Sequence, residues 1–153
     1  MKMKTIDVVN AFAALNGAKL AKMEDKEKFT LIKAMKVMKP IKNDYEDFVK
    51  DAREKLKGDN HEDMVKRVEE WRTKHADTKP ADFTPAELKE LNEINTYFND
   101  YNKKVEECVK EEADKEVTPE YARLTEEAFG RLLASNDDWD VEKSLMVSEI
   151  LCE

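Results

Sequence analysis

A mainly α-helical fold is what this sequence predicts, built on an antiparallel, coiled-coil-like hairpin of two long helices with shorter helices packed against it. Three observations predict it. Gly occurs three times and Pro four times in 153 residues, while Lys, Glu, Ala, Leu and Met are plentiful; those are strong helix formers. Residues 25–58 and 85–114 keep apolar side chains three and four apart, which at 1.5 Å per residue gives two stripes about 45–50 Å long. Charge divides along the chain. Residues 1–58 carry 14 Lys plus Arg against 9 Asp plus Glu, or +5; the rest carries 13 against 26, or −13, for a net −8. A basic arm followed by an acidic arm of matched length favours folding back on itself.

The first helix is expected from Thr5, its hydroxyl accepting from a free backbone N–H and Asp7 facing the positive end of the dipole. Val8, Val9, Phe12 and Leu15 form its apolar stripe, and Asn16-Gly17 suits a left-handed C-cap. Residues 1–4 alternate Met and Lys, as a short edge strand would. The second helix runs from Asp25 to Gly58 on the seam Leu31, Met35, Met38, Tyr45, Val49, Ala52 and Leu56, with Lys42 in the one missing place. Pro40 interrupts it, because proline lacks an N–H and crowds the carbonyl of Lys36. The pattern continues in register on both sides, which predicts a kink near residues 36–40, with two helices meeting there as the alternative.

Gly58-Asp59-Asn60 ends that helix, and Asn60 is placed to cap a third carrying Met64, Val68, Trp71 and His75. A loop over residues 76–83 follows. Thr84-Pro85-Ala86-Glu87 then reads as a capping box with proline at the first helical position, and Phe83 and Leu88 stand where a hydrophobic staple would close. The fourth helix follows Leu88, Leu91, Asn95, Phe98, Asn102, Val105, Cys108 or Val109, and Glu112, with Ile94 and Tyr101 widening its face. Residues 117–121 read as extended, since the residue before Pro119 avoids helix. Thr125 caps a short helix with Phe129, Leu132 and Leu133, ended by Asn136. Asp138 or Asp140 starts the last, with Val141, Leu145, Ile150 and Leu151. No repeat or low-complexity linker appears, so residues 1–153 read as a single helical domain.

At this length one core suffices without a disulfide or metal staple. Cys108 and Cys152 have no ligand spacing, and Cys108, on the apolar track, reads as a small core residue. No long apolar run and no leader-like start is present, so membrane spanning and secretion are not expected and the compartment is taken as the cytoplasm. Basic residues interleave with acids, which disfavours nucleic acid. His61 and His75 lie fourteen residues apart without an HExxH or ExxH pattern. His61 is expected to be solvated, and His75 to sit at a helix C-terminus where a cation offsets the dipole. Glu106, Glu107, Glu111, Glu112 and Asp114 read as a solvated face, since di-metal bundles pair Glu with ExxH on facing helices. Asp137-Asp138-Trp139-Asp140 lacks the glycine and terminal glutamate of an EF-hand, and capping explains its aspartates. Scattered Gly17, Gly58 and Gly130 cannot build a phosphate loop. No catalytic, cofactor-binding or metal residue is therefore assigned. Trp71, Tyr97, Tyr101 and Trp139 are the candidate interaction residues, because aromatic side chains anchor interfaces.

The stretch Val8-Val9-Asn10-Ala11-Phe12-Ala13-Ala14-Leu15-Asn16, then Lys19-Leu20, then Phe29, Lys33, Tyr45 and Arg53, resembles small phage and prophage proteins of the DUF1617 type. So does Glu116-Val117 to Leu124, leading to Phe129, Leu132 and Asn136. The likeness covers roughly the first 57 and last 50 residues, in hydrophobic and small residues, and includes no catalytic motif. That family has no established activity, so the resemblance implies a phage-type context and a helical hairpin and transfers no active site. It also implies two short strands, with residues 1–4 pairing with residues 117–121.

The resulting expectation is a non-enzymatic helical protein–protein interaction protein of phage or prophage type, an accessory factor in virion or tail assembly. It would act in the host cytoplasm or on the virion, need no cofactor, and bind a phage or host protein or a second copy of itself. Lys42 and the two Asn on the seams suit such a wet or register-fixing contact. The alternative is a small acidic regulatory protein, an anti-host factor or DNA mimic, motivated by the acidic second half.

Overall fold

The computed structural model describes all residues, Met1–Glu153. Its elements in chain order are β1 (Met3–Lys4), α1 (Thr5–Asn16), α2 (Asp25–Lys55), α3 (His61–Lys74), a 3-10 turn at Pro80–Asp82, α4 (Pro85–Asp114), β2 (Glu116–Val117), α5 (Glu126–Ser135) and α6 (Val141–Leu151). The protein is mainly helical with one small antiparallel sheet, as expected. The chain divides into two compact units, residues 1–48 with 111–153, and residues 49–110.

The first unit begins with β1 antiparallel to β2, Met3 opposite Val117 and Lys4 opposite Glu116. Lys2–Glu116 at 3.2 Å and Lys4–Asp114 at 2.9 Å flank the pairing. Both pairs set a lysine of the basic half against a carboxylate of the acidic half. The strand stops at Val117, short of the expected Tyr121, since Pro119 has no N–H to give a ladder. Thr5 does not cap α1. Its N–H and hydroxyl both donate to the Lys115 carbonyl, at 2.8 and 3.0 Å, and so extend the pairing by one residue. Gly17 closes α1 at φ −101°, without the left-handed conformation expected.

Val8, Ala11, Phe12, Ala14 and Leu15 of α1 are buried with Leu31, Ala34 and Met38 of α2, Ala128, Phe129 and Leu132 of α5, and Val147, Ile150 and Leu151 of α6. The α2 seam holds throughout: Leu31, Met38 and Ala52 are buried and Met35, Tyr45, Val49 and Leu56 half-buried. Lys42 fills its polar gap by lying across the Phe12 ring, 5.6 Å from its centre, while its ammonium meets Glu46 at 3.1 Å. The helix is continuous through Pro40, so one helix and not two occupies this stretch. Thr125 caps α5, accepting from the Ala128 N–H at 3.2 Å, and Asp140 caps α6, accepting from the Lys143 N–H at 2.7 Å. Ile150 and Leu151 of the expected α6 stripe are buried, but Val141 and Leu145 point outward, 84% and 60% exposed. Val147, one turn before Leu151 at i−4, takes the inward place.

Residues 17–24 make few backbone hydrogen bonds, the Ala18 N–H to the Leu15 carbonyl and the Met23 N–H to the Leu20 carbonyl among them, and the end of α5 supplies further partners. Asn136, buried to 4% exposure, accepts from the Lys19 N–H and donates to the Lys19 carbonyl, both at 2.8 Å. Ser135 accepts from the Lys22 N–H at 2.9 Å. At the start of α2, Glu27 accepts from the Glu24 N–H at 2.9 Å and takes a forked guanidinium contact from Arg131, whose Nε lies 3.1 and 3.0 Å from its two oxygens.

In the second unit, the last turns of α2 run antiparallel to α4. Arg53 meets Tyr101, its carbonyl accepting from the phenol at 2.6 Å, while Gly58 lies against Tyr97. Beyond Tyr97 the partner of α4 is α3: Arg67 reaches Glu93 at 3.1 Å and Glu90 at 3.8 Å. Within this unit the end of α2 and α4 thus form the expected antiparallel pair, and α3 covers the first half of α4. The capping box forms, with Thr84 N–H to Glu87 Oε1 at 3.3 Å and Glu87 N–H to Thr84 Oγ1 at 3.2 Å. The staple gives way to another contact: Leu88 is 48% exposed, and Phe83 packs on Trp71 and His75 instead. Asn60 precedes α3 without a side-chain cap.

Leu132, fully buried, should lose about 2–5 kcal/mol on Leu132→Ala in urea denaturation, whereas exposed Val141→Ala should change stability by no more than about 0.5 kcal/mol. The Arg131 guanidinium holds the Glu27 carboxyl down to about 2, from the ordinary 4.5. Its contribution is therefore complete above pH 4.5 and is lost as pH falls toward 2. In an acid titration followed by circular dichroism, Glu27→Gln should be less stable at neutral pH and lose less across that window. Parallel curves would refute this.

Candidate functional site

The candidate aromatic residues divide between the units. Trp71, Tyr97 and Tyr101 belong to the second; Trp139 belongs to the first, half-buried against the core with Lys143 Nζ 5.9 Å from its ring. In the second unit, α3 and α4 spacing brings rings together. Trp71 and His75, one turn apart, have centroids 4.1 Å apart, and Phe83 from the loop closes on both at 5.4 and 5.3 Å. Further along α4, Tyr97 lies edge-on to Phe98 at 5.2 Å. Its hydroxyl hydrogen bonds His61 Nδ1 at 2.8 Å, and the Tyr101 ring lies 4.8 Å from the imidazole centre.

His61 is therefore half-buried among three aromatic rings rather than solvated. The Gly58-Asp59-Asn60 turn, with the His61 N–H donating to the Gly58 carbonyl at 3.0 Å, folds the start of α3 back onto α4. His75 caps the end of α3, as its position implied, but its side chain is only 6% exposed and its Nε2 lies 3.1 Å from Glu87 Oε2. One carboxylate thus serves two ends: Oε1 closes the capping box and Oε2 holds the imidazole. The two Thr84 hydrogen bonds first, and then the charges of His75 and Lys74, hold the Glu87 carboxyl below its ordinary range.

Between the ring clusters lies an open groove of about 360 Å³, with Val68, Trp71, Leu91 and Phe98 among its apolar walls and Arg72, Asn95 and Asn102 among its polar ones. Tyr97 lies against Phe98 and Tyr101 against His61, outside the groove; Trp71 alone of the four candidates lines it. The contributions of Arg72, Asn95 and Asn102 were missed as site residues. Asn95 and Asn102 were visible as polar breaks seven residues apart on an apolar track, and that was their signal.

Elsewhere, Cys108 and Cys152 are free and half-buried, in different units. Glu106, Glu107 and Glu111 are exposed, while Glu112 is half-buried and meets Lys115 at 2.6 Å. Asp137 and Asp138 are exposed in the turn before α6. No three His, Cys, Asp or Glu side chains converge as metal ligands, and no helix is long and apolar enough to cross a membrane. No protein-family model, curated protein or solved structure matches the chain.

Thr84→Ala should lower stability by about 1 kcal/mol and raise the Glu87 titration toward ordinary carboxylate values, followed by NMR. An unmoved Glu87 titration would show that the capping box does not set it.

Proposed function

We propose that this chain is a non-enzymatic helical interaction protein of phage or prophage type, an accessory factor in virion or tail assembly in the host cell. The observation that carries the binding reading is the α3–α4 groove. Its walls combine a partly exposed Trp with Leu, Val and Phe, and Arg72, Asn95 and Asn102 add donors and acceptors. Aromatic and aliphatic walls with a few polar groups suit the apolar face of a partner helix, which such grooves accept through side chains one turn apart. The phage-type context rests on the resemblance of the terminal regions, and the compartment follows from that context.

Affinity capture from phage-infected cells tests this, using wild type beside a Trp71→Ala/Leu91→Glu variant whose helix content is checked by circular dichroism. Virion or tail-assembly proteins should be retained by wild type and reduced about tenfold or more in the variant, the loss of roughly 1.4 kcal/mol. Recovery of no assembly component, or equal retention by the variant, would remove the reading.

A further inference from the structure

Two helix faces in the first unit are uncovered, and they are opposites. On the first half of α2, Phe29, Ile32, Lys33, Lys36 and Lys39 share the side facing away from buried Glu27, Leu31, Ala34 and Met38, as the helical repeat requires. Phe29 and Ile32 are 57% and 44% exposed. Lys33 Nζ rests 4.6 Å from the Phe29 ring centre, and Lys36 and Lys39 are exposed. From Lys28 to Asn43 the sequence holds five Lys and no Asp or Glu.

On α6, Val141 and Leu145 lie one turn apart, 84% and 60% exposed, away from buried Val147, Ile150 and Leu151. Exposed Glu142 and Glu149 flank them, and exposed Asp137 and Asp138 precede them. Two cations on or beside α6 make contacts of their own. Lys143 lies toward the Trp139 ring, and Arg123 donates to the Cys152 and Glu149 carbonyls at 2.9 and 3.3 Å.

One exposed leucine needs no explanation. An apolar pair framed by lysines and another framed by carboxylates, in one folded unit, match in both shape and sign. We propose that the α2 face of one copy docks on the α6 face of a second copy. Phe29 and Ile32 meet Val141 and Leu145, and Lys33, Lys36 and Lys39 stand opposite Glu142 and Glu149. A second copy fits better than nucleic acid or an anionic membrane, because either of those would leave the acidic α6 face bare, whereas a second copy engages both faces. Two helix faces make a small contact, so the association belongs to the weak, salt-sensitive class. This goes beyond the assembly reading and stands whether or not that reading does.

Sedimentation and light scattering across micromolar concentrations test it. Wild type should gain mass with concentration at low salt and return to the protomer mass in about 1 M salt, where the Debye length falls to about 3 Å. Lys36→Glu/Lys39→Glu and, separately, Glu142→Lys/Glu149→Lys should each weaken self-association about tenfold or more. An equal mixture of the two variants should regain it, because each acidic face then meets a basic one. A wild-type protomer mass at every concentration, association unchanged in both variants, or a mixture that fails to recover would each overturn the proposal. So would retention on duplex DNA or anionic vesicles, lost with Lys36→Glu/Lys39→Glu, by a wild type that stays monomeric.

Discussion

The arrangement of the first unit depends on satisfying the backbone of residues 17–24. This connection between α1 and α2 has few regular hydrogen-bonding partners of its own, and polar groups left unpaired in an interior cost more than most contacts return. The end of α5 supplies what is missing. Asn136 pairs with both backbone groups of Lys19, and Ser135 takes the Lys22 N–H. Arg131, one turn earlier, locks onto Glu27, which itself accepts from Glu24. These contacts place the first turn of α2 on α5, so that Leu31, Ala34 and Met38 enter the same core as Phe129 and Leu132. Every buried side-chain nitrogen and oxygen has a hydrogen-bond partner, which shows that polar satisfaction and apolar packing agree here.

The second unit solves a different problem. Its helices bury few side chains completely, with Ile94, Met64, Ala52 and Val105 the main ones, and its interior is correspondingly aromatic. Large rings bring much buried area and prefer tilted or edge-on contacts. The His61 and His75 clusters both show that geometry. Two histidines placed as polar members of aromatic stacks need a hydrogen-bond partner each, and Tyr97 and Glu87 provide them. The groove lies between these two clusters, so the same rings that stabilise α3 on α4 shape its walls. Structure and candidate binding surface are therefore built from one set of side chains.

Charge has a subtler role than the +5 and −13 division implied. The Glu27–Arg131 pair, its carboxylate buried, puts the acid in the basic half and the base in the acidic half. The pairs of the expected polarity are exposed ones at the sheet, where solvent makes them weak. What the asymmetry leaves on the surface is a lysine-lined α2 face and a carboxylate-lined α6 face, each around exposed apolar side chains.

Much of this was legible in the sequence by itself. Helix positions, the seam of α2, the capping box at Thr84 and the caps at Thr125 and Asp140 all follow from interactions within a few residues, so local spacing determined them. What only the tertiary structure decided involves partners distant in sequence. The Lys19 backbone and Asn136 are 117 residues apart, and nothing near either announces the other. Thr5 looked like a cap because a hydroxyl at a helix start usually is one, but the Lys115 carbonyl competed and won. His61 looked solvated because its neighbours in sequence are polar, whereas its environment is made by Tyr97 and Tyr101. Likewise Val141 and Leu145 resembled core residues by composition alone. Which side of α6 turns inward is decided by the shape of the core it meets, and that shape is assembled from helices the local pattern cannot see.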